Sequence, residues 1–392
     1  MTAPLSAFPL TLAARILGRR GAGAWLVGAA LAGVLAGCSS GARKPEPMPL
    51  QPVAAIVPAR QVWTQAIGPV DALLVPAVRD GAVALANAAG AVTVLEADGG
   101  RVRWRAEAGA PMAAGVGFDG RRVALVTRDN ELTVLSERGV LWRQRLAARP
   151  FTPPLVAGER VFVLGGDRSV VAFDAQSGAR LWSQSSRGTE PLVLQQPGVL
   201  GAVGNTLVVG IGGRLVGLDP DTGRMRWDAV VGRSRGANEI ERLVDLVGRV
   251  GRDGDVLCVR AFQAAIGCVD ATQGRTLWTR AADGVTGVQA DAERVYAVES
   301  NGRVLALRRA DGTPDWTHER LLHRGLTAPL ALGRSLAIGD AQGYVHLLSR
   351  ADGSVVNRLA TDGSPIVEGP LLVGNTLVAV TRNGGVFAWR PE

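Results

Sequence analysis

The sequence predicts an all-β fold, an eight-bladed β-propeller of four-stranded antiparallel blades. A unit of a short β-rich run, a polar turn ending in glycine and a tryptophan recurs with a period near 40 residues. The runs of Val, Ile and Leu are too short for helices, and glycine turns separate them. Together these observations are typical of a propeller. The phased tryptophans are Trp63, Trp104, Trp142, Trp182, Trp227, Trp278 and Trp316.

One blade can be divided into its strands from sequence. The predicted strands are 154–156, 160–164, 169–173 and 180–184, with glycine turns between them. The equivalent third strands are predicted at 91–95, 131–135, 169–173, 214–218, 265–269, 303–307, 344–348 and 385–389, which gives eight blades.

The two ends of the repeat array predict how the ring closes. The array begins at Val62–Trp63, which matches a fourth strand, and it ends at Trp389, just after a third strand. Val62–Trp63 should therefore complete the last blade and remove an exposed edge.

The repeated tryptophan and the repeated aspartate have structural interpretations. A large ring on an outer strand can wedge between blades and bury apolar area. The alternative is a set of stacking platforms for a ligand, but seven rings at one equivalent position favour packing. The Asp before each glycine, as at Asp174, is expected to cap the turn by accepting backbone N–H bonds.

The N-terminus predicts export and lipidation. Three arginines within 15–20 precede an apolar run of small residues over 22–37, as in a secretory signal. The run ends at Cys38 in the tetrapeptide Leu-Ala-Gly-Cys, which resembles the bacterial lipobox. That resemblance implies cleavage before Cys38 and its acylation; the alternative is an ordinary signal peptide.

Three segments follow from these features. Residues 1–37 are predicted to be the lipoprotein signal, 38–59 a lipidated tether rich in proline, and 60–392 the propeller. Repeated prolines favour an extended polyproline conformation, so the tether is expected to act as a spacer.

The sequence predicts no catalytic residue, no metal site and no cofactor. Its only histidines are His318, His323 and His346, and no Cys/His spacing matches a zinc site. No glycine-rich phosphate loop opens a helix. The net charge is +8, but the basic residues are scattered among the repeats, which argues against nucleic-acid binding.

Two further cysteines flank a predicted hairpin. Cys258 and Cys268 lie on either side of a turn near Gln263, so they are expected almost opposite each other. A disulfide is permitted in an oxidising compartment. The alternative is a pair of small buried thiols.

The Asp-x-x-Thr/Ser-Gly-x-x-x-Trp units resemble the pyrroloquinoline-quinone-like propeller repeat. With the lipobox at Cys38, the proline-rich tether and eight blades, the whole chain resembles the BamB family of outer-membrane protein assembly factors. That resemblance implies a non-catalytic lipoprotein scaffold, anchored in the outer membrane and facing the periplasm. Its implied partners are the POTRA domains of BamA, other Bam components and unfolded outer-membrane proteins.

The resemblance also implies a partner-binding surface. Arg187 matches an arginine in a loop of one blade, and Asp245 matches an acidic position in the next. The long connection before Asp245 adds Glu239, Ile240, Arg242 and Leu243. The alternative for the charged residues is an ordinary solvated loop.

The alternative function is a pyrroloquinoline-quinone-dependent periplasmic dehydrogenase, which shares this repeat. Such enzymes carry a disulfide between adjacent cysteines, a calcium site and a catalytic Asp. This sequence has no adjacent pair of cysteines.

The lipobox generates the first prediction. Cys38→Ala should move the protein from the membrane to the soluble periplasmic fraction, because the acyl chains would be lost. Fractionation and the mass of the N-terminal peptide measure this outcome. Retention in the membrane, with no acyl mass on the wild-type peptide, would contradict it.

Overall fold

The computed structural model describes residues 45–185, 193–234 and 243–391. The chain forms two compact units, Met1–Pro45 and Glu46–Glu392, and of the first only Pro45 is described. The predicted signal and Cys38 therefore lie outside the described residues. Within the described ranges, no helix has the length and apolar character needed to cross a bilayer.

The described residues of the second unit form 32 strands in eight antiparallel sheets of four. The first of these strands is β1 (Ala59–Ala66). Blade 1 contains β2 (Ala77–Arg79), β3 (Ala82–Ala86), β4 (Ala91–Glu96) and β5 (Val102–Glu107). Blade 2 contains β6 (Met112–Phe118), β7 (Val123–Thr127), β8 (Glu131–Ser136) and β9 (Gly139–Arg145). Blade 3 contains β10 (Leu155–Ala157), β11 (Arg160–Leu164), β12 (Val170–Asp174) and β13 (Arg180–Gln184).

Blades 4 to 8 repeat the same order from inner to outer strand. Blade 4 contains β14 (Leu200–Val203), β15 (Thr206–Ile211), β16 (Arg214–Leu218) and β17 (Met225–Val230). Blade 5 contains β18 (Leu246–Asp253), β19 (Val256–Ala261), β20 (Ala265–Asp270) and β21 (Arg275–Ala281). Blade 6 contains β22 (Gln289–Ala290), β23 (Arg294–Val298), β24 (Val304–Arg308) and β25 (Pro314–His318). Blade 7 contains β26 (Leu330–Leu332), β27 (Ser335–Gly339), β28 (Tyr344–Ser349) and β29 (Val355–Ala360). Blade 8 contains β30 (Leu371–Val373), β31 (Thr376–Val380), β32 (Gly385–Pro391) and, as its outer strand, β1.

This architecture confirms the predicted eight-bladed propeller and its closure. The third strand of every blade falls at its predicted position. Strand β1 pairs antiparallel with β32, with Trp63 opposite Ala388. The two ends of the array thus share one sheet, and β1 covers the edge that β32 would otherwise leave unpaired.

Tryptophans join one blade to the next. The indole Nε1 of Trp142 donates to the Ala175 carbonyl in blade 3 at 2.9 Å. Its ring covers Gly178, where an added Cβ would lie 2.6 Å from the ring. Gly178 also has a φ of +74°, so both its conformation and the ring above it require glycine. The same contact joins Trp63 to Gly100, Trp182 to Gly223, Trp227 to Gly274, Trp278 to Gly312 and Trp316 to Gly353.

Aspartates cap five of these six turns, as predicted, by accepting backbone N–H groups at Asp174, Asp219, Asp270, Asp311 and Asp352. The Oδ1 atom of Asp174 accepts the backbone N–H groups of Ser177 at 2.7 Å and Gln176 at 3.1 Å. The Ser177 backbone N–H holds the pKa of Asp174 below its usual value, because the bond favours the charged carboxylate. The cap fixes the turn onto which the preceding tryptophan packs.

The described part of the expected tether differs from a free spacer. The backbone N–H of Met48 donates to the Leu322 carbonyl at 3.0 Å, and Ile56 donates to Val356 at 2.9 Å. Leu50 and Val57 pack against the hydrophobic cores of the blades. Residues 46–58 therefore lie along blades 6 and 7. Their prolines prevent regular strand pairing, so individual hydrogen bonds to the blades satisfy the polar groups of this backbone instead.

A buried polar cluster anchors this N-terminal segment. The guanidinium of Arg324 donates to the Met48 carbonyl at 3.1 Å and to Asp340 Oδ2 at 2.7 and 2.8 Å. His346 Nε2 lies 2.9 Å from the same carboxylate oxygen. Asp340 and His346 are fully buried, so the cluster fixes Arg324 at the edge of blade 7.

Cys258 and Cys268 face each other across β19 and β20. They occupy directly paired positions of the ladder, both side chains are fully buried, and a disulfide joins their sulfur atoms. Of the two alternatives left open by the sequence, the structure contains the bonded form.

The inter-blade contact predicts a large loss of stability for Trp142→Ala. The change should lower the free energy of unfolding by about 3–5 kcal/mol, because it removes a buried ring and leaves a cavity. Its neighbour Leu141 is 43% exposed, and Leu141→Ala serves as the control with an expected change below about 0.5 kcal/mol. Denaturant unfolding measures both changes in stability. Equal changes for the two variants would contradict the role of Trp142 in packing between blades.

The disulfide predicts a pattern of thiol labelling. In denaturant without reductant, an alkylating reagent should leave the peptides that contain Cys258 and Cys268 unmodified, because only thiolates react. After reduction both peptides should gain the label by mass spectrometry. Labelling before reduction would instead indicate two free thiols.

Candidate partner-binding surface

The two longest connections between strands link blades 3, 4 and 5. Residues 185–199 join β13 to β14, and residues 231–245 join β17 to β18. Both run from an outer strand to the inner strand of the next blade, so their described ends lie at the same end of the ring. They are the loops in which the sequence predicts partner-binding residues.

The predicted residues divide between described and undescribed positions. Arg187, Glu239, Ile240 and Arg242 lie outside the described residues. Leu243 and Asp245 are described, and both are half-buried.

The described ends of the two connections meet at Asp245. Its Oδ2 atom accepts the backbone N–H of Leu194 at 2.9 Å. An isolated antiparallel bridge pairs Gly198 with Val247, and the Gly248 N–H donates to the Pro197 carbonyl at 2.8 Å. Backbone and side-chain bonds thus bring together two segments that are about fifty residues apart in sequence.

The carboxylate of Asp245 also binds inside the protein. Its Oδ1 atom accepts Arg168 Nη2 at 3.2 Å, and the side chains of Asp245 and Arg168 are only 16% and 10% exposed. Arg168 belongs to the turn between β11 and β12 of blade 3. Asp245 therefore ties blades 3, 4 and 5 together, whereas sequence reasoning treated it as a charge available to a partner. Sequence reasoning missed Arg168, because it lies in an ordinary hairpin turn.

Leu243 lies at the edge of a cleft between blades 5 and 6. The cleft has a volume of about 860 Å³, and its wall includes Val244 and Phe262. The Phe262 N–H donates to the Asp245 carbonyl at 3.0 Å, which joins the cleft wall to the meeting point of the two connections.

A charged pair crosses the central channel. The pairing of β18 with β19 is irregular between Val247 and Gly251, and Arg249 lies in this irregular stretch. The Nη1 atom of Arg249 donates a hydrogen bond to the Pro370 carbonyl, just before the inner strand of blade 8, at 3.1 Å. Burial lowers the pKa of Arg249 and raises the pKa of Glu368, and the opposite charge of each residue counters the shift in the other. Blades 5 and 8 are not neighbours, so this contact spans the interior of the ring.

In residues 45–185, 193–234 and 243–391, no three His, Cys, Asp or Glu side chains are grouped so that they could hold a metal ion.

Solved structures with the same architecture include an assembly factor and enzymes. The BamB structure from Moraxella catarrhalis matches with a TM-score of 0.76 and 27% identity, over 85% of this chain and 99% of that chain. A europium-containing methanol dehydrogenase matches with a TM-score of 0.67 but 12% identity, over 85% of this chain and 93% of that chain. At that identity the second match shows the shared fold alone.

Sequence comparisons agree with the first structural match. A family model described as outer membrane protein assembly factor BamB matches residues 51–137 and 88–318. The BamB of Burkholderia pseudomallei is 37% identical over 92% of this chain and 95% of the relative, and that of Bordetella pertussis is 33% identical over 94% and 97%. These matches confirm the resemblance drawn from the repeats and the lipobox, and the chain belongs to the family of the outer membrane protein assembly factor BamB.

Proposed function

We propose that this chain is a non-catalytic scaffold of the outer-membrane β-barrel assembly machinery. In this proposal the acylated Cys38 anchors it in the outer membrane, and the propeller faces the periplasm. Its partners are the POTRA domains of BamA and other Bam components, and it assists the folding and insertion of unfolded outer-membrane proteins. Family membership and the signal and lipobox over 15–38 support this assignment.

The partner surface is proposed at the connections 185–199 and 231–245. The observation that carries this choice is the convergence of their described ends at Asp245, through bonds to Leu194 and Arg168. Binding residues concentrate on loops that a rigid scaffold positions, and these are the longest such connections in the ring.

Two kinds of residue have different tasks in this surface. Arg187 is proposed to contact the partner directly, since a guanidinium can bind a carboxylate through two parallel hydrogen bonds. Asp245 is proposed to act through Arg168 and Leu194, by holding the two connections in register. The first task concerns affinity alone, whereas the second also concerns the stability of the fold.

The absence of catalysis is part of the same proposal. The relatives of this chain are named as assembly factors, and Arg249 crosses the channel to the Pro370 carbonyl. A role that depends on surface loops needs a rigid ring and no reacting group inside it.

Variants at Arg187 and Asp245 should separate the two tasks. Arg187→Glu should weaken capture of BamA by about 2 kcal/mol and leave the unfolding transition unchanged, because it alters a surface contact. Asp245→Ala should weaken capture and also lower the free energy of unfolding by about 1.5–3 kcal/mol, because it removes charged hydrogen bonds inside the protein. Co-purification and urea unfolding measure the two effects.

The control is Arg180→Glu, at an exposed arginine on β13 near the opposite end of the blade. It makes the same change of charge and should preserve both properties. Undiminished recovery of BamA with Arg187→Glu would move the interface elsewhere on the ring. Unaltered stability of Asp245→Ala would show that its carboxylate is not needed to hold the connections.

A further inference from the structure

A second cavity extends the cleft of about 860 Å³ between blades 5 and 6. It has a volume of about 510 Å³ and lies against β17 and β21. The two cavities share Arg233, Ala264, Arg280 and Ala281 in their linings, and we name them together the blade 5 cleft. Apolar side chains line its larger part, including Leu243, Phe262 and Leu305.

Two arginines in the blade 5 cleft have no partner for their charge. Arg233 and Arg280 are both exposed, and within the described part of the chain neither guanidinium forms a hydrogen bond or ion pair. Other arginines on the blades form ion pairs, as between Arg214 and Asp228 or between Arg294 and Asp315.

The acidic groups that line the cleft are already bound within the protein. Glu299 accepts the backbone N–H of Asp283 and lies 3.5 Å from Arg260. The Oδ1 atom of Asp283 accepts the Ser300 hydroxyl at 3.0 Å. The third arginine of the lining, Arg303, pairs with Glu319 at 2.8 Å. The serine hydroxyl does not neutralise Asp283, but the two charges of Arg233 and Arg280 exceed this one carboxylate, so the uncompensated charge of the cleft lining is positive.

The blade 5 cleft is continuous with the proposed partner surface. Arg233 begins the connection 231–245, and Leu243 near its end lines the same cleft. The bond from Phe262 to the Asp245 carbonyl joins the cleft wall to the residue that holds the two connections. The connections and the cleft lie at the same end of blades 4 and 5, so a partner bound to the connections could also contact the cleft.

We infer that the blade 5 cleft binds an extended acidic segment of the partner that contacts the connections 185–199 and 231–245. Carboxylates of that segment bind Arg233 and Arg280, and an apolar side chain enters between Leu243 and Phe262. Guanidinium groups favour carboxylates because two parallel hydrogen bonds accompany the charge attraction. This inference rests on the proposed function, since it gives the same partner a second contact.

The experiment compares two charge-reversed forms of the full-length protein. One carries Arg233→Glu with Arg280→Glu. The matched control carries Arg180→Glu with Arg224→Glu, at exposed arginines beside the turns at the opposite end of blades 3 and 4. Binding to purified BamA in detergent is titrated at about 50 mM and about 300 mM salt, because exposed charge pairs are screened as salt rises.

The cleft variant should bind about tenfold more weakly than the wild type at low salt and lose most of the salt dependence, since like charges oppose each other across the interface. The control should bind as the wild type does. The neutral form with Arg233→Gln and Arg280→Gln should show a smaller loss, and its unfolding transition should match the wild type. This form keeps the test valid if charge reversal disturbs folding.

Two results would overturn the inference in distinguishable ways. If the wild type binds BamA and both cleft variants bind equally well, the blade 5 cleft is not a contact and the proposed function stands. If the wild type itself does not bind BamA, the proposed function fails, and the inference fails with it.

Discussion

The contact between a tryptophan and the glycine of the next blade is the constraint on which this ring depends. Neighbouring blades are separate sheets that share no strand ladder, so side-chain packing sets most of their spacing. The ring of Trp142 lies where a Cβ of Gly178 would otherwise stand, and its Nε1 binds the Ala175 carbonyl. Five of the six contacts, those of Trp63, Trp142, Trp182, Trp278 and Trp316, combine apolar burial with such a hydrogen bond, and their repetition fixes the angle from blade to blade.

Two of the interfaces between neighbouring blades, 1–2 and 7–8, depart from this rule for structural reasons. The ring of Trp104 does not pack on a glycine of the next blade, because the turn between β8 and β9 in blade 2 is shorter than the equivalent turns. Blade 7 has Asn357 at the tryptophan position, and blade 8 has no turn between its third and fourth strands because they come from opposite ends of the chain. The Asn357 amide instead donates to the Val57 carbonyl at 2.8 Å, so the N-terminal segment takes the place of the missing turn.

The rigid ring explains why function is proposed at its connections. Most turns between strands are short and capped, as at Asp174, and they leave little surface for a partner. The connections 185–199 and 231–245 are long, but Asp245, Arg168 and Leu194 hold their described ends. Such an arrangement gives the proposed surface a fixed base, which limits the entropy lost on binding. The unpaired Arg233 and Arg280 lie beside this base.

The sequence by itself determined the number of blades, the third strand of each, and closure by Val62–Trp63. Those features follow from a local pattern repeated many times, in which alternation, glycine turns and tryptophans agree. Only the tertiary structure decided that residues 46–58 pack on blades 6 and 7, and that Asp245 binds Arg168, which is 77 residues away. The first outcome depends on several contacts of residues 46–58, and the second on one ion pair, all of them between distant segments. No periodicity marks such contacts in the sequence, because each is formed once, between side chains that only the closed ring brings together.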